Sequence, residues 1–151
     1  MKIAEALSRV KALKGRLSRL FSLAAANLYH VEGETPEFSA SALLAEWWET
    51  AKELRGLMVA LQRTNHRVRL PSGLTLAEAL LEMADLRSRA AQYERLVQAK
   101  PQNQYLRDER VVYRTAIPAD RLVQTVEEAT AAIRALDNEI QRTNWTNDLV
   151  E

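Results

Sequence analysis

The residues best equipped for chemistry lie in one short run: Arg63, Asn65, His66, Arg67 and Arg69. Guanidinium groups bind carboxylates and phosphates through paired N–H donors. A helix start follows at Thr75, and its unpaired N-terminal N–H groups would add to the same attraction. This set implies a pocket for a small anion or a nucleotide. A plainer use exists for the same residues. Arg in a last helical turn complements the helix dipole, and Asn is a common left-handed helix stop.

Other chemistries find less support. The two histidines, His30 and His66, lack a second His at helical spacing, and Glu32 and Glu34 near His30 fall in an expected surface loop. With no Cys, thiol chemistry, disulfides and thiolate metal sites are excluded. No nucleophile elbow, phosphate-binding glycine loop or dinucleotide fingerprint occurs. Glu78, Glu82 and Asp85 recur at helical spacing, the pattern of a solvated face, and Arg87 and Arg89 follow them. No catalytic residue, metal or cofactor is therefore expected. Arg9, Lys11, Lys14, Arg16 and Arg19 form a basic stripe that could hold a polyanion. Net charge is only +1, and the tyrosines are not interleaved with the stripe. Pairing with acidic helices is the better expectation. The Trp47-Trp48 pair could anchor at a membrane surface, but Glu46, Glu49 and Glu53 share its helix and anionic lipid would repel them.

Long helices must position these groups, because only four Gly and four Pro interrupt the 151 residues. Apolar residues three and four apart predict four helices: 2–29, 39–65, 75 to about 100, and about 118–144. The second could begin instead at Thr35-Pro36. In the first, Ile3, Leu7, Val10, Leu13, Leu17 and Leu20 share a face flanked by Lys2, Arg9 and Arg16 at the seven-residue spacing of coiled-coil pairing charges. In the second the stripe is Leu44, Trp47, Ala51, Leu54, Met58 and Leu61. Leu43, Trp48 and Leu57 widen it, which marks them as a candidate contact surface. Thr75 and Glu78 form a capping box at the start of the third. Val111–Ile117 reads as a strand, with 67–70 as its partner within the chain and a neighbouring subunit as the alternative.

Two phrases repeat. Ala4-Glu5-Ala6-Leu7 returns as Ala77-Glu78-Ala79-Leu80, and Gln62-Arg63-Thr64-Asn65 returns as Gln141-Arg142-Thr143-Asn144. The expected fold is mainly α: one domain over 1–151, an antiparallel four-helix bundle of two repeated hairpins (1–66 and 74–145), with a small β element at about 67–70 and 110–117. Antiparallel packing would bring Arg63 and Asn65 to Glu5, and Arg142 and Asn144 to Glu78, as two structural polar clusters.

The order Lys2–Leu7, Arg63–Asn65, Arg69-Leu70, Gly73–Leu80 and Asn144-Trp145-Thr146 resembles a septicolysin-like family of small bacterial proteins. The resemblance implies a helical cytoplasmic protein without an established activity and carries over no catalytic residue. An uninterrupted apolar run of membrane-spanning length is absent, and Lys2, Glu5, Arg9, Lys11 and Lys14 break up any signal-peptide core. The sequence thus predicts a cytoplasmic, self-associating structural or interaction protein. Anion binding through 63–69 is the alternative, and weak nucleic-acid binding through the first helix is a second.

Overall fold

The structure, a computed structural model, describes residues 1–100 and 112–150. Most of them belong to four helices: α1 (Ile3–Ala26), α2 (Ala40–Arg67), α3 (Leu76–Gln98) and α4 (Ala119–Thr146). The mainly α class with four long helices is as expected. The chain divides into two compact units, one of Met1–Arg69 with Gln141–Glu151, the other of Leu70–Ile140.

In the first unit α1 packs on α2. Their direction is antiparallel, because Arg9 pairs with Glu53 at 2.7 Å while Arg16 pairs with Glu46 at 2.8 Å. The third cation of the heptad series, Lys2, pairs with Asp148 at 2.9 Å. The three cations at seven-residue spacing, Lys2, Arg9 and Arg16, therefore each meet an acid, as that spacing implied. The two α1–α2 pairs are half-exposed, so each contributes only about 0–1 kcal/mol and mainly sets register.

Local chemistry fixes the helix ends. Ser39 caps α2, its hydroxyl accepting from Ala42 N at 3.3 Å. At the start of α1 the Glu5 carboxylate accepts from Lys2 N at 2.8 Å. That is one half of a capping box; an ammonium has no lone pair with which to supply the other half. Asn27 closes α1, with Nδ2 donating to Leu23 O at 2.9 Å and Oδ1 accepting from Phe38 N at 3.3 Å, which pins the turn between the helices. Gly33 within that turn has φ of 89°.

The buried face of α2 differs from the expected one. Leu43, Trp47, Thr50, Leu54, Leu57, Leu61 and Thr64 point inward, buried or half-buried, in an unbroken four-three alternation. Leu44 and Met58, expected in the core, are exposed. Two alternations share Trp47, Leu54 and Leu61, and the more apolar one is not the buried one. Thr50 and Thr64 can be buried because each hydroxyl donates to the carbonyl four residues back, at 2.8 Å to Glu46 O and 2.7 Å to Ala60 O.

In the second unit Thr75 and Glu78 form the complete capping box, with Glu78 N donating to Thr75 Oγ1 at 3.2 Å and Thr75 N to Glu78 Oε2 at 2.7 Å. The helices are again antiparallel. Ser72 N, just before α3, donates to Glu139 late in α4 at 3.3 Å. Tyr93 late in α3 lines a small cavity with Arg121 and Thr125 early in α4. The repeated Ala-Glu-Ala-Leu phrases behave alike. Ala6 and Ala79 are both fully buried, and Leu7 and Leu80 are both 46% exposed. Leu7 was expected on the inner face. Ile3 is buried as expected, Ala6 is buried in place of Leu7, and Ile3 N donates to Asn147 O at 3.1 Å.

The second repeated phrase also holds the same place in each hairpin. α2 and α4 both have 28 residues, and both run two residues past the Asn. Asn65 and Asn144 are thus not left-handed stops, and among the described residues only Gly33 and Gly73 have positive φ. No strand forms among the described residues. Leu70 N donates to Leu74 O at 2.8 Å and Gly73 N to Leu70 O at 2.9 Å, so the chain folds back there in a tight turn and no extended strand develops. Residues 112–117 are irregular, and positions 110 and 111 lie outside the described residues. What β pairing there is consists of isolated bridges: Lys2 pairs with Asp148, and Arg69 and Thr75 each stand in a bridge position.

Candidate interaction surface

Because the register with the threonines is the buried one, the members of the other register that it does not share lie toward the outer side of α2, with Leu44 and Met58 exposed and Ala51 half-buried. Leu44, Trp48, Met58 and Val59 are exposed, with Trp48 at 68%. Trp48 is held edge-on by its neighbour Trp47, with ring centroids 5.1 Å apart and planes at 89°. Trp47 is anchored in the inner register, so the exposed indole has a fixed support.

Beyond Trp48 the same face carries a groove of about 470 Å³ lined by Ala51, Leu54, Arg55, Met58, Val59, Gln62, Arg63 and His66. Its floor is aliphatic, and Arg55, Arg63 and His66 supply cationic or polarisable edges. A second depression of about 480 Å³ lies around Trp48, Glu49, Lys52 and Arg55, and meets the first at Ala51 and Arg55. The face thus combines a protruding aromatic, an aliphatic trough and flanking charges, the usual ingredients of a protein-contact surface.

The candidate anion residues are spread along the end of this helix. Arg63 and His66 close the groove, Asn65 is half-buried, Arg67 is the last helical residue and Arg69 lies exposed in the following turn. At the α3 start the capping carboxylate of Glu78 already takes the Thr75 N–H and hydroxyl. Glu5 turns to its own helix end, and among the described residues Arg63 forms no ion pair. Arg142 is exposed and Asn144 is buried. Of the candidate contact residues, Leu43 and Leu57 are half-buried in the inner register and Trp48 is outward.

Sequence reasoning did not single out the residue of the repeated phrase with the most structural consequence. Thr64 is completely buried, and its hydroxyl accepts from Val150 N at 2.9 Å while donating to Ala60 O. The tail after α4 is held by this bond and by three more: Ile3 N to Asn147 O, Leu149 N to Met1 O, and Lys2 Nζ to Asp148 Oδ2. The Lys2 ammonium, donating to Asp148, holds the Asp148 carboxyl below the usual carboxylate range. A slight loss of hydration opposes this, and the charges of Lys2 and the N-terminal amine add to it. A seven-residue-spaced Lys at position 2 was the signal for this clasp; its acid lay too far along the chain to be paired by spacing.

Among the described residues there is no cluster of three or more metal-ligating side chains, and no helix is long and apolar enough to cross a membrane.

No curated protein matches the chain. A crystal structure of a conserved protein of unknown function from Corynebacterium diphtheriae is similar to it, with 27% sequence identity over 99% of each chain and a TM-score of 0.86. Neither this likeness nor the family match links the chain to septicolysin-like proteins, which corrects the resemblance drawn from short motifs. The phrases that carried it are a capping box and a buried threonine near a helix end, devices that unrelated helical hairpins share. The family model matches residues 10–149, and the chain belongs to the family of unknown function DUF6847.

Proposed function

We propose that this is an interaction protein that associates with its own copies through the outward face of α2. The observation that carries the reading is the exposure of Leu44, Trp48, Met58 and Val59 on one side of a helix whose other side already serves the core. Exposed large apolar side chains are ordinary one at a time; two groups of them on one side of a helix, Leu44 with Trp48 and Met58 with Val59, support a contact surface there. Trp is also the residue type most enriched at the energetic centres of interfaces. Light scattering of the purified chain tests the reading. A defined oligomer is expected, and Trp48→Arg lowers its mass while far-UV circular dichroism stays unchanged. A monomeric parent chain, or an oligomer indifferent to Trp48→Arg, refutes it.

Arg63 and His66 at the end of the groove favour one second reading, the binding of a small anion there. A thermal-shift panel of phosphorylated metabolites tests it, and no stabilisation by any of them counts against it. Polyanion binding through α1 has less support, because Arg9 and Arg16 already pair with Glu53 and Glu46.

A further inference from the structure

We infer that α2 is a two-position element: a rotation about its own axis exchanges the buried register for the more apolar one, and polar links to α1 and to the tail hold it where it stands. Trp47, Leu54 and Leu61 belong to both registers and stay inward in either position. Around them the rotation trades Leu43, Thr50, Leu57 and Thr64 for Leu44, Ala51, Met58 and Asn65, each one residue further along. Neighbouring residues of a helix stand about 100° apart, and keeping the shared residues inward halves the turn to about 50°.

The two sets match in kind. Each supplies two large apolar side chains, a small residue between them and a polar residue at the helix end. Ala51 and Asn65 are already half-buried, and Leu44 at 37% exposure and Met58 at 42% stand at the margin of the core. Apolar burial therefore does not favour the present position. Packed elements of this kind hold discrete arrangements and resist intermediate ones.

Polar links decide between the positions. Thr64 accepts from Val150 N at 2.9 Å, while Glu53 and Glu46 meet Arg9 and Arg16 at 2.7 and 2.8 Å. Glu53 and Arg55 leave the helix on opposite sides of Leu54. The rotation swings Glu53 away from α1 and Arg55 toward it, which with Arg9 and Arg16 in place opposes like charges. Trp48 lies seven residues before Arg55 on the same flank and turns inward with it, so the position of α2 sets how much of its outer side is presented. The inference concerns one chain and holds whether or not copies associate.

The absence of Cys permits single reporters. Leu57→Cys and Met58→Cys are placed separately in the parent chain and in Arg9→Glu/Arg16→Glu, where α1 repels Glu53 and Glu46 and attracts Arg55. Alkylation rates with a soluble maleimide are read at a dilution where light scattering gives all the chains the same mass. Met58→Cys reacts faster than Leu57→Cys in the parent chain, and the order reverses in the charge-reversed chain with far-UV circular dichroism unchanged. The milder Arg9→Gln/Arg16→Gln chain removes the links without repulsion, and there the two rates converge. An order unchanged in both variant backgrounds overturns the inference. Fast reaction of both reporters in the variants also overturns it, because that marks a loosened helix and not a turned one.

Discussion

Replacing Thr64 by Val tests the account of how the chain's ends are held. The two side chains have nearly the same shape, so packing is kept and the hydroxyl alone is lost. Thr64 is fully buried, and its oxygen is the acceptor for Val150 N at 2.9 Å. The lost donation to Ala60 O matters little, because that carbonyl remains within the helical ladder. The lost acceptance leaves an amide N–H without a partner. A buried orphan of this kind costs about 1–3 kcal/mol, and Val150 is only half-buried, so water recovers part of it. The expected loss is about 1–2 kcal/mol, read as a lower urea midpoint with unchanged slope. For a chain of this length that corresponds to a fall in Tm of roughly 2–8 °C. Hydrogen exchange locates the effect: the Val150 amide loses protection in Thr64→Val and keeps it in Thr64→Ser, which retains the oxygen. Equal stability of Thr64→Val and the parent chain, with Val150 still protected, would refute the reasoning.

Thr75→Ala removes the hydroxyl that caps α3 and is expected to cost about 1 kcal/mol, measured by chemical denaturation; an unchanged midpoint would show that Glu78 alone suffices. The depressed Asp148 carboxyl makes the clasp pH-dependent, because a group with a lowered folded pKa stabilises above its unfolded value and loses that contribution as pH falls through the folded one. The difference in Tm between the parent chain and Asp148→Asn should therefore be present at neutral pH and vanish at acid pH, below the ordinary carboxylate range. A difference that persists there would assign the effect to something other than charge.

The helices, their antiparallel pairing and two of their starts were legible because they follow from local rules. Ser39 and Thr75 cap where short hydroxyl side chains should, and Arg9 and Arg16 find acids on the neighbouring helix. The buried face of α2 was not legible. Hydropathy ranks Ala51 and Met58 above Thr50, and it cannot register that a helical threonine returns its hydroxyl to the backbone and enters the core as a nearly apolar residue. The same error hid the groove beyond Trp48, because Ala51, Leu54 and Met58 of its lining had been read as core. The β-branched run at 111–117 also misled, since strand propensity reflects packing on neighbours and 112–117 form no ladder.

The bond from Leu149 N to Met1 O matches the bond from Leu70 N to Leu74 O, each 2.8 Å long. The second pair is closed by three residues, Pro71 to Gly73, whereas the first joins stretches far apart along the chain. A contact of such sequence separation carries its full loop-closure cost until the helices between have formed, so the turn is expected early in folding and the clasp of Lys2 and Asp148 late.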